Sequence, residues 1–480
     1  MVRENWLDDS SVHGRPLKIL MLQLQLRRSQ IVPISLMACA ATGALATVDA
    51  QLSAAAIGAA GLVLLLMLRP VIALGVLFFV GGVDLAATSG GEKTLFASIG
   101  GVDLSGIRLV TSVVGMATLI AVRPASARQQ ISLGYVVPLA LFVAYGACTL
   151  LWSPVPAQGF RLLAKILYFL LVFVAVQVVC RSKEDVDKLL AVALVGGAIV
   201  ATVVNPIVWW SGGFDEDTSG ITRLRGGGIH ENPASFYMLI LLLLVLARFQ
   251  WSSAWVWIGL SVAFAVSMLL AYTRVTQIAL VAAILTMELV RRRTRDHARR
   301  WLALLLMLVV PVAALPVLAA RSFANPDELF ADLPASVATD SSVSPLETVN
   351  LQGRELIWAI TWERFSESPI FGGGLGAAGD RLATTLQFDE APAPHNEYLR
   401  MLADTGVVGT LLLVVALAVW VKATLHVLRT NPGDRRHDLA RAALGGLVAF
   451  AVIAWSDNPL DYYASFTQFM ALYTAGCLRG

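Results

Sequence analysis

Fourteen apolar runs, most of them close to bilayer-crossing length, succeed one another along this sequence and leave few folds open. They fall at 31–48, 52–68, 71–82, 107–122, 133–151, 161–180, 188–210, 233–248, 253–272, 274–290, 301–320, 402–425, 442–455 and 463–478. Within hydrocarbon every backbone N–H and C=O must be satisfied internally, so such runs fold as helices. A β-barrel would read as short alternating segments instead, and the sequence shows none. Charged residues make up only 14% of the 480, where soluble proteins carry about 25%. The expected fold is all-α, a polytopic transmembrane bundle of about 12–14 spans, because the third and thirteenth runs are short.

The basic residues orient the bundle. With the N-terminus cytoplasmic and the spans alternating, 24 of the 36 Lys and Arg fall on the cytoplasmic side and 12 on the other. The cytoplasmic set includes Arg181, Lys183, Arg248, Arg429 and the block Arg291-Arg292-Arg293-Thr294-Arg295. Both termini are therefore expected inside. Residues 1–30 form a polar, basic cytoplasmic segment in which Leu17–Arg28 suits an amphipathic helix on anionic lipid. Ile31 then begins an uncleaved first span. The helical region runs over 31–320, a large outward loop over 321–400, and C-terminal spans over 401–480. Four cysteines, Cys39, Cys148, Cys180 and Cys477, sit in or at the end of apolar runs with no metal-ligand spacing and are not expected to pair. The net charge of +3 says little about partners, and no nucleic-acid partner is expected.

The 321–400 loop is the one long polar segment, and loops of such length are uncommon unless functional or disordered. It reads as the lid of a reaction chamber. It carries Arg354, Trp362-Glu363-Arg364, the cluster Gly372-Gly373-Gly374-Leu375-Gly376 and Pro394-His395-Asn396-Glu397-Tyr398-Leu399. A neutral imidazole with a pKa of about 6.5 accepts a proton near pH 7, so His395 suits a general base for a hydroxyl nucleophile. Asn396 is placed to orient it or to bind sugar hydroxyls. A lone outward histidine is more often a bystander; the neighbouring arginines and glycines reverse that reading.

Those arginines lie in other outward turns. Arg223-Leu224-Arg225 precedes Gly226-Gly227-Gly228, which puts guanidinium forks on a backbone that an anion can approach closely. Arg274 falls between two apolar runs, where an arginine is costly unless it faces a cavity or a partner. The plain alternative is snorkelling to headgroups. Asp215-Glu216-Asp217 matches an Asp-x-Asp metal and nucleotide motif only weakly, and Gly372–Gly376 lacks the strand and the Gly-Lys-Ser/Thr of a phosphate loop, so it is expected to make a tight turn. No metal and no cofactor is expected.

With these residues in view, the chain resembles the O-antigen ligases and O-antigen or exopolysaccharide polymerases of bacterial inner membranes. The likeness rests on Trp362-Glu363-Arg364-Phe365, Ser368-Pro369-Ile370-Phe371-Gly372-Gly373-Gly374, Pro394-His395-Asn396-Glu397-Tyr398-Leu399, and Leu402, Gly406 and Gly409. It extends from roughly Arg223 to Leu425, and the His-Asn-x-Tyr-Leu part is its specific element. The resemblance implies a fold like the multi-span lipid-dependent glycosyltransferases. It also implies a metal-independent, inverting transfer of glycan from a polyprenyl (undecaprenyl) diphosphate carrier at the periplasmic face. The acceptor would be a lipid A–core sugar or a growing polysaccharide, with a chain-length regulator as a further partner beside the membrane lipids. By resemblance Arg223, Arg225 and Arg274 hold the diphosphate and His395 activates the acceptor, with Asn396, Tyr398, Arg364 and Arg354 in support. Relatives often carry Ser-Arg where this chain has Thr273-Arg274. About 14 runs against the family ligases' usual span count of about 12 lean slightly to a polymerase. The alternative is a flippase for lipid-linked oligosaccharides, which would show polar residues near mid-membrane repeated in two halves. No such halves are visible.

Overall fold

A computed structural model describes residues 69–80, 98–99, 102–121, 131–210, 214–216, 222–224, 231–248, 253–271, 273–290, 354–387, 393–430 and 435–478. The chain divides into two compact units, Met1–Leu74 and Gly75–Gly480, and the first is described only over 69–74. The helices are α1 (Pro70–Val80), α2 (Leu104–Ala121), α3 (Leu133–Thr149), α4 (Pro156–Val179), α5 (Lys183–Ile199), α6 (Asn205–Trp210), α7 (Glu231–Arg248), α8 (Ala254–Leu270), α9 (Arg274–Leu289), α10 (Arg354–Glu367), α11 (Ala377–Leu386), α12 (Glu397–Thr430), α13 (Arg435–Ile453) and α14 (Gln468–Cys477). A π turn at Val200–Val204 joins α5 to α6. Two short antiparallel ladders, β1 (Ser98–Ile99) with β2 (Val102–Asp103) and β3 (Phe214–Glu216) with β4 (Thr222–Leu224), are the strands among the described residues.

The expected runs and the observed helices coincide with ends up to seven residues apart (α13 begins at Arg435 and its run at 442), save 31–48, 52–68 and 301–320, which lie outside the described residues together with the segment 1–30. Pro156–Val179, Lys183–Trp210 and Glu397–Thr430 are long and apolar enough to cross a bilayer, and shorter apolar helices accompany them. This is an all-α membrane protein.

Local chemistry sets the ends. Pro156 occupies the first turn of α4, where its missing N–H costs nothing. Ser182 caps α5 in a reciprocal box with Asp185. α7 is apolar on every side and buried on every side, from Phe236 to Ala247, as expected of a central helix. α14 is likewise buried throughout and packs by Phe469 against Phe78 and Tyr237, with the Tyr473 hydroxyl donating to Ile240 O at 2.9 Å. Trp420 of α12 stacks on Phe173 of α4 at 4.5 Å between ring centres and donates its indole N–H to Tyr135 O. On the outer face of α12, Leu411, Val414 and Val415 are exposed and apolar, the composition of a lipid-facing stripe. At one end of the bundle Asp187 of α5 takes Arg248 from the end of α7 and Arg435 from the start of α13.

The 321–400 segment differs from a featureless polar lid. It contains α10 and α11, which share a small core of Ile360, Leu382 and Leu386. The glycine loop between them closes a break in α12. At Gly406 the backbone leaves helical geometry (φ 65°, ψ −170°), which strands the carbonyls before it and the amides after it. Gly373 N and Gly374 N donate to Ala403 O and Asp404 O, while Val407 N and Val408 N donate to Pro369 O and Ile370 O. Tyr145 of α3 donates to Thr405 O. A Cβ on Gly372 (φ 75°) would meet Gly406 N at 2.4 Å, so the two backbones cross where only glycine fits.

Candidate active site

The described part of the site forms where α7, α9, α10 and α12 begin and where the chain leaves α13. Its centre is Asp457, a residue that no sequence motif singled out. Asp457 is 1% exposed. Its Oδ2 accepts from Asn232 Nδ2 at 2.8 Å, and its Oδ1 accepts from Asn458 N at 2.8 Å and from the Tyr462 hydroxyl at 2.9 Å. Both oxygens of this buried carboxylate are thus supplied with hydrogen-bond donors.

His395 stands on the open side of that carboxylate. Its Nδ1 lies 3.6 Å from Asp457 Oδ1, and its side chain is 38% exposed. The backbone of His395 adopts φ 52°, a left-handed conformation unusual outside glycine, and its N–H donates to Asn458 Oδ1 at 2.8 Å. Glu397 N donates to Ala454 O and Asp457 O, so the 395–397 and 454–458 segments are stitched together along their backbones. The strained conformation is over-determined by these bonds, which fixes where the imidazole stands.

Arg274 enters through the same network. Thr273, just before it, donates to Asn232 Oδ1 at 3.3 Å, and Asn232 in turn bonds Asp457. Arg274 itself is half-buried at the first residue of α9. Arg354 is the first residue of α10, and Asp457 and Tyr462 are its electrostatic neighbours. Burial lowers the pKa of its guanidinium, and Asp457 and then Tyr462 oppose that shift. Burial, reinforced by Asp457, raises the Tyr462 phenol well above its ordinary value, so it remains a hydrogen-bond donor at any working pH.

The other expected residues fall elsewhere. Arg225 lies outside the described residues; Arg223 lies on β4, opposite Asp215 in the ladder register. Asn396 is buried and caps α12, its Oδ1 accepting from Leu399 N at 3.0 Å. Tyr398 ties α12 to α13 through its hydroxyl and Ala451 O at 2.7 Å. Arg364 pairs with Glu367 at 2.6 Å and lies against Gly373, so it braces the glycine loop. That loop is a turn and not an anion cradle. Its amides are spent on Ser368 O, Ala403 O, Asp404 O, Thr149 Oγ1 and the Asp404 carboxylate, which also takes Ala378 N at the start of α11.

Beneath His395 lies an ionic floor. Arg400, 4% exposed, donates to Glu397 Oε1 at 2.6 Å and also engages Asp461, and Lys165 of α4 reaches Asp461 at 2.6 Å. Glu397 Oε2 accepts from Leu460 N at 3.1 Å. Burial opposes ionisation of Asp461, but the Arg400 and Lys165 charges outweigh it and hold the carboxyl below the ordinary carboxylate range. The network locks the start of α12 to α4 and to the turn after Asp457. Among the described residues, then, the site presents an exposed imidazole backed by a buried carboxylate, with Arg354 and the Arg274 turn beside that carboxylate. Such a set can take a proton from a hydroxyl and place cations near an anionic leaving group.

Residues 259–414 match the family model described as O-antigen ligase. The match takes in Arg274, Arg354, the glycine loop and His395 but stops short of Asp457. No curated protein matches the sequence. The match and the apolar helices together support an O-antigen ligase-type membrane enzyme in polysaccharide biosynthesis.

Proposed function

We propose that this protein transfers a glycan from a polyprenyl diphosphate carrier to the hydroxyl of a lipid A–core sugar or of a growing polysaccharide. The observation that carries this reading is the pairing of His395 with buried Asp457 in the stretch that opens α12, with His395 itself inside the O-antigen ligase match. In the proposed step the acceptor hydroxyl gives its proton to His395 as its oxygen attacks the anomeric carbon. The bond from that carbon to the carrier diphosphate breaks on the opposite face, which inverts the centre. Asp457 acts as a positioning residue, holding the imidazole and stabilising its cation.

The leaving diphosphate gains negative charge as the bond breaks. Arg274, with Arg225 or Arg223 and with Arg354 in support, is assigned to receive it, because bidentate guanidinium–phosphate bonds are strong in a partly dry site. On this reading the arginines carry the role a metal would otherwise serve. The stored energy of the lipid diphosphate drives transfer at the periplasmic face of the inner membrane. The termini lie in the cytoplasm, as the distribution of Lys and Arg supports. The segment 321–400 is then the periplasmic catalytic loop.

Surface-polysaccharide analysis of a deletion strain tests the reading and separates its forms. Long polymer left on the carrier and missing from lipid A–core means a ligase; single repeats on the carrier or on the core mean a polymerase. Repeats trapped on the cytoplasmic face would replace both with a flippase. His395→Ala is expected to abolish transfer at unchanged protein level, and near-normal polymer from that variant would remove the base assignment.

A further inference from the structure

Two indoles belong to the elements that hold His395 and Asp457 in place, and the chemistry above uses neither. Trp455 lies in the turn after α13 and is 64% exposed; Trp358, one helical turn beyond Arg354 on α10, is half-buried. Their rings meet edge to face, with centres 6.3 Å apart and planes at 73°. The Trp358 N–H donates to Pro394 O at 3.1 Å, one residue before His395. Ala454 O and Asp457 O, on either side of Trp455, both accept from Glu397 N. The Trp358 ring is thus bonded to the backbone that positions the imidazole, and the Trp455 ring meets it from the segment stitched to that backbone.

A tryptophan that merely anchors a protein at the membrane surface keeps its N–H for water and headgroups. Trp358 turns its N–H inward, to a carbonyl of the catalytic segment. An exposed indole has the make-up of one wall of a pyranoside site, where the C–H face of the sugar ring lies on the indole. The diphosphate side of the site is assigned to Arg274, reached through Thr273, Asn232 and Asp457. The indoles reach His395 from its own backbone, through Pro394.

We propose that Trp358 and Trp455 form the subsite for the acceptor sugar, taking the apolar face of a pyranose and presenting its hydroxyl to His395. This rests on the transferase reading above and adds the residues that hold the acceptor.

The test uses full-length protein in lipid nanodiscs and a panel of methyl glycosides of glucose, galactose and N-acetylglucosamine, with binding read by saturation-transfer NMR. At least one glycoside is expected to bind saturably to the wild type. Trp455→Leu, which keeps apolar bulk for the membrane, is expected to weaken that binding by about tenfold, and Trp455→Phe by only about threefold. His395→Ala removes one contact to the hydroxyl and is expected to keep saturable binding, so the tryptophan outcome does not depend on whether His395 is the base. A second reading needs no variant: saturating glycoside is expected to protect Trp455 of the wild type from N-bromosuccinimide, followed by peptide mass spectrometry. Equal binding by Trp455→Leu, no protection, or no bound glycoside in the panel overturns the subsite. If glycoside binds as expected while His395→Ala still transfers glycan, the base assignment fails and the subsite stands.

Discussion

Oδ1 of Asp457 lies 3.6 Å from Nδ1 of His395, although all of α12 and α13 separates the two residues in sequence. The distance is long for a hydrogen bond, as catalytic contacts often are before substrate binds. The carboxylate is fully committed to Asn232, Asn458 and Tyr462, so it cannot swing away from the imidazole. Asp457→Asn keeps the size and the acceptor oxygen but removes the charge. We expect glycan transfer to fall by about 100-fold or more, with the KM for acceptor little changed and the protein still folded. Kinetics in nanodiscs checks this, and a rate within threefold of wild type contradicts the role.

Arg400 sits between Glu397 and Asp461 with almost no access to water. Arg400→Met leaves Glu397 buried without its cation and Asp461 with Lys165 alone, a loss of about 3–5 kcal/mol in comparable cases. The expected result is a thermal midpoint lowered by several degrees or more in detergent. Loss of Lys165, a quarter exposed and with Arg400 still present, should cost much less.

Acid should release the same floor. The Asp461 carboxyl is more acidic when folded than when unfolded, where it titrates near about 3.9. Its contribution is therefore fully present above that unfolded value and is lost as pH falls through the lower folded value. Unfolding midpoints measured from pH 6 down to pH 3 should drop, and Asp461→Asn should flatten the lower part of that profile. A variant with the same acid slope as the wild type would show that the dependence lies elsewhere.

Gly406 has φ 65°, and a Cβ there would meet Ile370 O at 2.3 Å. Gly406→Ala combines left-handed strain with a backbone clash, and we expect a cost of at least about 1–3 kcal/mol. Because α12 opens at Glu397 and breaks at Gly406, the damage should reach His395 as well. Transfer activity should fall together with the midpoint, whereas Gly259→Ala on α8, which has open space around it, should change neither.

Hydropathy made the helices legible, because backbone satisfaction in lipid leaves a long apolar run one outcome. It misread the start of α12 by several residues. The expected run began at 402, whereas the helix begins at Glu397, because Glu397, Tyr398 and Arg400 are polar in sequence yet satisfied inside the fold. Hydropathy scores a side chain without its partner. The same blindness hid α10 and α11 inside a segment that read as one polar loop.

The site was legible in part. His395 stood out by its motif and Arg274 by a charge between two apolar runs, whereas Arg354 was named only in support, through the resemblance. Asp457 carried a signal too: Ser456-Asp457-Asn458-Pro459-Leu460-Asp461 is a polar hexapeptide between two apolar runs. What the sequence could not supply was the pairing, since Asn232, His395 and Asp457 meet only through tertiary contact. Asn396, Tyr398 and Arg364 were singled out by the motif that contains them, and the structure gives them a cap, a helix tie and a loop brace.

The stitching of 395–397 to 454–458 also bears on when this protein becomes competent during its own synthesis. A nascent chain that has inserted α12 already displays His395, but the carboxylate behind it follows only after α13 has been made. Until then the left-handed turn at His395 lacks Asn458 to hold it, and Arg400 lacks Asp461. The histidine is translated early and assembled late, so an interrupted chain would sit in the bilayer with its lipid-facing helices formed and its reactive centre incomplete.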